Sequence, residues 1–208
     1  MIIVSSFKLN HNNSSGFFTI TAEEIYCCPY CNGELLYRDS RLRKLINIVG
    51  EIIYFLLRRL RCQNCKKLHT ELPSVIHPYK HYDSDTIQSV LDNSEDGKMC
   101  TADNSTIRRW KNEFAEAEPD INQRLASVYT QMTDERIPIA VTVNILDRIK
   151  IETKHWLSFV TELLINSGHK ICTQFAFCPS STHANVNSVS KNVSEGGRKD
   201  DKTIKDTS

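Results

Sequence analysis

Two apolar runs separated by a turn dominate the first third of the chain. "GELLYRDSR" (33–41) alternates loosely between apolar and polar positions, and "EIIYFLLRRLR" (51–61) is rich in Ile, Tyr, Phe and Leu. Both runs are typical of β-strands, and Gly50 is placed for a turn ahead of the second run. The pattern therefore predicts an antiparallel hairpin.

A proline-containing connector follows the hairpin, and regular structure is predicted to restart near residue 83. Asp83 or Ser84 can cap a helix because their short polar side chains accept hydrogen bonds from the first-turn N–H groups. Its apolar positions recur at i, i+3 and i+4 and are Ile87, Val90 and Leu91. We expect a short helix that ends at the acidic loop "DNSEDG".

The segment "TADNSTIRRWKNEF" predicts a second, amphipathic helix capped by Asp103 or Asn104. At about 100° per residue, its apolar side chains share one narrow arc. They are Ile107, Trp110 and Phe114. The side chains on the far side are Ser105, Arg108, Arg109 and Asn112. Such a face fits a recognition helix, in which Arg reads guanine or phosphate and Asn reads adenine. A plain surface helix has the same pattern, and the pattern alone favours it.

Two later stripes predict core helices. The first stripe consists of Ile121, Leu125, Val128 and Met132. The second consists of Trp156, Phe159, Val160, Leu163 and Leu164, and Gly168 ends it. The segment 137–152 mixes periods and is predicted to be mostly helical. From Ser180 onward the chain is polar and lacks aromatic residues, so we expect disorder there.

Composition and the chain start indicate a protein of the cytoplasm. The chain is 40% hydrophobic and 25% charged, which is ordinary for a soluble globular protein. Its first residues contain no basic start followed by a long apolar run, so no secretory signal is predicted. The longest apolar stretch (45–57) includes Gly50 and Glu51 and is shorter than the ~20 residues that span a bilayer.

The positive charge is concentrated in one segment. Residues 28–80 contain ten Lys and Arg against four acidic residues, a net charge of +6, whereas the whole chain carries +1. A basic segment of this kind is what an electrostatic footprint for phosphates requires. A solvated surface with a chance excess of arginine is the simpler alternative.

Two Cys-x-x-Cys pairs lie in the same basic segment. Cys28 and Cys31 form one pair, and Cys62 and Cys65 form the other. Four thiolates at this spacing are typical of a closed tetrahedral structural zinc site, and we predict one Zn²⁺. Disulfides are not expected without an export signal, and a redox pair needs only one Cys-x-x-Cys. Gly33 is predicted to take the left-handed conformation after the first pair.

Other potential ligands are assigned minor roles. His69 could replace a cysteine, although we expect it beside the site rather than on the metal. Cys27 is interpreted as a buried or bystander thiol. The remaining cysteines lack partners at ligand spacing and are interpreted as core thiols. They are Cys100, Cys172 and Cys178.

A hairpin that brings the second cysteine pair back beside the first is a zinc ribbon, a module whose core is too small to fold without its metal. Its exposed edge is predicted to carry six arginines. They are Arg38, Arg41, Arg43, Arg58, Arg59 and Arg61.

A resemblance joins these motifs. In order, "CPYCNG", the basic hairpin, "RRLRCQNCKKLHTELP", "PYKHYDSDTI" and "STIRRWKNEF" resemble a bacterial family of uncharacterised proteins carried under a domain-of-unknown-function label. That family is similar to the N-terminal zinc-ribbon and helix-turn-helix regions of insertion-sequence transposases. The resemblance covers about Cys28 to Phe114. It implies that the protein binds double-stranded DNA and that the four paired cysteines are metal ligands. It also implies that the 105–112 face contacts the DNA bases. One departure is "DNSEDGKMC", which is acidic and short where longer relatives have a full helix.

The predicted fold class is α+β: a small N-terminal zinc ribbon followed by a mostly helical region with a helix-turn-helix-like segment. The predicted organisation is an extension (1–24), the ribbon (25–80), the helix-turn-helix-like segment (81–118), a helical region (119–179) and a disordered tail (180–208). The predicted DNA-contacting residues are Arg58, Arg59, Arg61, Ser105, Arg108, Arg109 and Asn112.

The predicted function is that of a zinc-ribbon DNA-binding protein, transposase-like or transposon-associated, without a catalytic domain. Strand transfer uses metal ions held by carboxylates, and the acids after Phe114 are predicted on helices or loops, so we expect neither an enzyme nor a small-molecule substrate. The main alternative is a protein-interaction module built on the ribbon, and a remnant transposase is a weaker one.

Overall fold

The computed structural model of the chain describes residues 1–133 and 145–169. Within them six strands precede five helices, which confirms the mixed α+β class. The strands are β1 (Ile2–Val4), β2 (Phe7–Asn12), β3 (Phe17–Ala22), β4 (Leu35–Ile46), β5 (Ile52–Cys62) and β6 (Leu68–Pro73). The helices are α1 (Ser84–Leu91), α2 (Glu95–Lys98), α3 (Asn104–Thr133), α4 (Ile145–Glu152) and α5 (Trp156–Asn166).

The predicted hairpin is confirmed as β4 and β5. The two strands pair antiparallel from Ile46 opposite Ile52 to Leu35 opposite Cys62. Gly50 adopts a φ of 89° in the connecting turn, a conformation that glycine takes without steric cost. A bulge between residues 37 and 39 shifts the register near the cysteine end.

The hairpin is part of a larger sheet than the sequence predicts. The strand order is β1-β6-β5-β3-β2, and β4 also pairs with β5. Strand β5 therefore lies inside the sheet, and its arginines are not at an edge. Residues 1–24 contribute β1, β2 and β3, and β6 occupies part of the expected connector. The sequence signal for these strands is weak because β2 alternates poorly and β6 contains a proline.

The first helices follow the prediction more closely. The Asp83 side chain accepts a hydrogen bond from the N–H of Thr86 at 2.5 Å and so caps α1. Helix α2 forms within the predicted acidic loop, with Ser94 as its cap. Gly97 lies so close to the end of α1 that an added Cβ would be 2.1 Å from the carbonyl oxygen of Ser89. Only glycine fits at this crossing.

Helix α3 unites two predicted helices. It runs for 30 residues through Pro119, with no interruption at the expected segment boundary after residue 118. A proline inside a helix removes one backbone hydrogen bond. Both halves nevertheless bury apolar side chains in the same core, among them Trp110 and Leu125. Tertiary packing therefore overrides the local cost of Pro119.

Two apolar cores stabilise the described residues. The helical core lies among α1, α3, α4 and α5, and the Phe114 and Trp156 rings meet edge to face in it at 5.3 Å. The indole N–H of Trp156 donates to the Asp92 carboxylate at 3.1 Å. The sheet core lies on one face of the sheet. Its buried members are Ile3, Val4, Ile20, Leu45, Phe55, Leu57, Leu72, Ile76 and Ile165.

One side chain of α5 makes two hydrogen bonds to the backbone of β1, in addition to the packing of Ile165 against the sheet core. Asn166 accepts a hydrogen bond from the N–H of Ile3 at 3.0 Å and donates another to the Ile3 carbonyl at 2.9 Å. Its amide thus satisfies both backbone groups of one residue, as a neighbouring strand would. Strand β1 is also paired in parallel with β6.

The structure describes part of the region for which the later helices and the tail are predicted. Helix α5 confirms the stripe that begins at Trp156 except at Phe159, which is exposed, as is Met132 of the other stripe. Gly168 has a φ of 82° just after the end of α5. Helix α4 accounts for the last part of segment 137–152. Residues 137–144, Cys172, Cys178 and the predicted tail from Ser180 lie outside the described residues. Within the described ranges, no helix combines the length and apolar character needed to cross a bilayer.

Candidate metal centre and basic surfaces

The two cysteine pairs lie on turns of the same construction. The N–H of Cys28 donates to the carbonyl of Gly33, and the N–H of Cys62 donates to that of Lys67, both at 2.9 Å. In each turn the residue directly after the second cysteine has a left-handed conformation. These residues are Asn32, with a φ of 54°, and Lys66, with a φ of 60°. The repeated geometry aims two pairs of thiols at one point.

Gly33 has a different role from the predicted one. The left-handed residue of the first turn is Asn32, so Gly33 is not needed for that conformation. An added Cβ at Gly33 would instead lie 2.7 Å from the Asn64 side-chain nitrogen. The glycine therefore allows the second turn to pack directly on the first.

The four predicted ligands converge. The sulfur atoms of Cys28, Cys31, Cys62 and Cys65 all lie within 4.8 Å of one another. The Cys28 and Cys65 sulfurs are 3.6 Å apart, and those of Cys31 and Cys62 are 3.4 Å apart. Four thiolates at ~2.3 Å from one ion would be separated by about 3.8 Å. The site can therefore hold one metal ion with little movement.

The thiols of Cys62 and Cys65 have pKa values shifted in opposite directions. Burial opposes ionisation of Cys62, but hydrogen bonds from the Cys65 backbone, the Cys31 side chain and the Asn64 backbone lower the pKa of its thiol to about 6. A backbone N–H from Lys67 favours ionised Cys65, yet burial and the neighbouring thiols raise its pKa to about 11. One thiolate therefore suppresses the next, because like charges at this distance repel. A bound cation removes that conflict.

His69 lies beside the thiols and is not one of the four converging ligands. It is almost fully buried, and its Nε2 is 3.4 Å from the Cys28 sulfur. Burial lowers the pKa of His69, so the ring is neutral near pH 7. With its proton on Nε2, the ring donates to the sulfur of Cys28 and orients it. Cys27 is exposed and outside the cluster, as expected of a bystander.

The three hairpin arginines have different surroundings. Arg59 makes a two-pronged ion pair with Asp39 on β4, one contact of which measures 2.5 Å. The Arg58 Nε is 3.5 Å from the buried carboxylate of Glu71. Arg61 is exposed and makes no ion pair with any described residue. Among these three, Arg61 has the side chain most available to a partner.

The predicted reading face lies at the start of α3. Ser105, Arg108, Arg109 and Asn112 are all exposed there. Trp110 on the opposite side is only 3% exposed and packs edge to face against Tyr82 at 5.0 Å. Arg109 makes a 3.8 Å ion pair with Glu113, while Arg108 makes none with the described residues. The four side chains line a shallow depression on the helix surface together with Asn104 and Glu116.

Several buried polar groups are absent from the sequence prediction. His77 is 4% exposed, and its Nδ1 has no hydrogen-bond partner among the described residues. Lys80 pairs with Glu113 of α3 beside it. Glu71 is also buried, and burial raises its pKa although Arg58 opposes the shift. These side chains are buried by strands and helices that are distant in sequence, so the local sequence pattern does not predict their burial.

The comparisons with known proteins add one match. Residues 28–110 match the family model described as a domain of unknown function, DUF6431. No curated protein and no solved structure matches the chain. The matched region begins at Cys28, the first candidate metal ligand, and ends at Trp110. Over these residues the chain is similar to a family of unknown function.

Proposed function

We propose that the protein binds double-stranded DNA and that its four cysteines hold one structural zinc ion. The observation that best supports DNA binding is a row of exposed polar side chains on one face of α3, opposite the buried Trp110. They are Ser105, Arg108, Arg109 and Asn112. A rigid helix that presents arginine and asparagine in this way suits base edges in the major groove. In this proposal α1, the short α2 and α3 act as a reduced helix-turn-helix.

Zinc is the ion that fits the donor set best. Four thiolates in a closed tetrahedral arrangement are typical of structural zinc, and they leave no open position for a substrate. The paired turns and the hairpin then form a zinc ribbon embedded in the six-stranded sheet. The zinc holds these turns together, and the protein has no catalytic role of its own.

The basic sheet supplies the sequence-independent part of the binding. Phosphate contacts position a protein on DNA, whereas base contacts specify the sequence. Arg61 is the first candidate for a phosphate contact because Arg58 and Arg59 already face carboxylates. The resemblance to transposase N-terminal regions is consistent with this division, and we extend the proposal to a transposon-associated role.

The test begins with selection of fragmented genomic DNA by the full chain, followed by titrations on the selected duplex and on a scrambled one at two salt concentrations. We expect Arg61→Ala to weaken binding to both duplexes equally and to reduce the salt slope by about one. Arg59→Ala is the matched control with a smaller effect.

The reading helix has its own variant. Arg108→Ala should cost ~1–3 kcal/mol on the selected duplex and relax preference at one base. Arg124→Ala, further along α3, should leave binding unchanged. Equal affinity of the wild type for both duplexes would remove the reading role, and no binding at low salt would overturn the proposal of DNA binding.

A protein-interaction module is the second candidate function. It is favoured by the internal ion pair between Arg59 and Asp39, which reduces the charge that the hairpin offers to phosphates. Binding to a protein partner need not release counterions, so its affinity should change little with salt. The titrations above therefore separate the two functions.

A further inference from the structure

The face of the β4–β5 hairpin opposite the sheet core is exposed over much of its length and is buried only toward the cysteine end, at Leu60 and Cys62. On β5 the side chains of Phe55 and Leu57 are buried in the sheet core, and the alternate positions point to the other side. Tyr54 is one of these alternate positions and is 40% exposed. Tyr37 of β4, at the far end of the hairpin, is 59% exposed. Large aromatic rings on an open sheet face call for an explanation.

Aromatic and cationic side chains share this face with the aliphatic pair Leu42 and Leu56. The rings of Phe17 and Tyr54 are neighbours, with centroids 6.4 Å apart. Lys44 lies opposite Tyr54 in the strand register. Arg58 lies further along the same face of β5, after Leu56, with its guanidinium carbon 5.9 Å from the centre of the Tyr37 ring. We call the five aromatic and cationic side chains the stacking face.

Acidic side chains are scarce around the stacking face. The Glu71 carboxylate lies beside Arg58 on β6 and offsets part of its charge, but the Glu71 side chain is only 5% exposed. Asp39 pairs with Arg59 on the other side of the hairpin. Glu23 lies at the far margin, beside Lys8. The solvent-facing charge among these described residues is therefore positive, which complements phosphate.

We propose that the stacking face binds single-stranded nucleic acid, with bases stacked on Tyr37, Tyr54 and Phe17 and a phosphate near Lys44, while Arg58 supports the Tyr37 ring. Open aromatic rings interleaved with cations are the arrangement that binds single strands without strong sequence preference. Bases inside a duplex are already stacked on each other and cannot lie on these rings. The surface is separate from the α3 face, so this inference does not depend on duplex binding.

The experiment measures anisotropy of a labelled 12-nucleotide oligo-dT strand and of the same strand paired with oligo-dA, using the full chain with its metal. We expect tighter binding of the single strand. Tyr37→Ala combined with Tyr54→Ala should weaken that binding by at least about tenfold, because each stacked base contributes measurably. The double Tyr→Phe variant keeps the rings and should bind within about twofold of the wild type. Tyr129→Ala, at an exposed tyrosine on α3, serves as the matched control.

Photo-crosslinking of the same strand to the wild-type protein provides evidence that needs no substitution. Crosslinks should map to the peptides that contain Tyr37 and Tyr54. The inference is overturned if the single strand does not bind, if crosslinks map only to α3, or if the alanine variant binds as the wild type does. Duplex binding by the α3 face is read from Arg108→Ala, so either proposal can fail while the other stands.

Discussion

The four-cysteine end of the sheet and the helical core around Trp156 differ in what holds them together. At the cysteine end, two exposed turns meet through four sulfurs within 4.8 Å and a glycine that allows close approach. In the helical core, four helices bury apolar side chains, and Trp156 is only 2% exposed. A cluster of thiols gives little stabilisation until a cation binds, whereas apolar packing needs no ligand. The two regions should therefore respond separately to loss of metal and to loss of packing.

The largest effect is expected at the cysteine end. Cys62→Ser should abolish stoichiometric metal binding, because one thiolate of four is lost from a site for which binding energies are on the order of 10 kcal/mol. Elemental analysis should fall from one zinc per chain to well below it. Cys27→Ser, at the adjacent exposed thiol, is the control and should retain the metal. Equal metal content in both variants would contradict the four-cysteine site.

The same variant sharpens the comparison of the regions. After Cys62→Ser, hydrogen exchange should accelerate in the turns at 28–33 and 62–67, while α3 and α5 keep their protection. The sheet core continues beneath the hairpin, so we expect local rather than complete unfolding. Complete loss of helical protection would show that the metal supports the whole described fold.

The next effect concerns packing. Trp156→Ala should lower the free energy of unfolding by about 3–5 kcal/mol, since it opens a cavity beside Phe114 and leaves Asp92 without its indole donor. Denaturant titration measures the change, and metal content should stay unchanged. Phe159→Ala is the matched control, because this ring of the same helix is 44% exposed. Metal loss in Trp156→Ala alone would link the two regions.

Acid should act on a third position, the buried His77. Burial, aided by Lys80, lowers the pKa of its ring to about 3. Below about pH 6.5 the histidine of the unfolded chain binds a proton, whereas the folded ring stays neutral down to about pH 3. The free energy of unfolding therefore decreases as the pH is lowered from about 6.5, by up to about 1.4 kcal/mol per pH unit. Thermal melts between pH 7 and 4 should show a shallower fall for His77→Leu. Parallel curves for variant and wild type would assign the acid response to other groups, including the thiols.

The smallest effect tests the contact between the two turns. Gly33→Ala should destabilise the cysteine end by roughly 0.5–1 kcal/mol, because its Cβ would clash with the flexible Asn64 side chain. Asn64→Ala in the same chain should remove most of that penalty. A double-mutant cycle on thermal stability measures the coupling. Additive effects would mean that the turns adjust without contact.

The sequence contains enough local information to predict the cysteine site and the hairpin. The Cys-x-x-Cys spacing needs only short-range geometry, and β4 and β5 carry strong strand propensity on either side of Gly50. The cap at Asp83 is local as well. Each of these predictions depends on residues close together in the chain.

The remaining features depend on distant partners. Strands β1 to β3 and β6 are short and weakly patterned, and they are stabilised by pairing with β5 or with each other. The helix through Pro119 is decided by the core that both of its halves join. The ion pair of Arg59 with Asp39 crosses the hairpin, so its effect on the predicted phosphate surface appears only once the register is known. Local sequence patterns specify individual strands and helices. Tertiary contacts decide which charged side chains form ion pairs within the protein and which stay available to a partner.

The two hydrogen bonds between the Asn166 side chain and the Ile3 backbone have a consequence for folding during translation. Strand β1 is synthesised before both of its partners, because its partner strand begins at Leu68 and the asparagine lies 163 residues downstream of Ile3. At roughly 5–20 residues per second, translation takes about 8–30 s between the two. During that interval the sequence Ile2-Ile3-Val4 has neither its full set of hydrogen bonds nor its apolar neighbours from α5. We therefore expect this apolar tripeptide to need shielding until Asn166 has been synthesised.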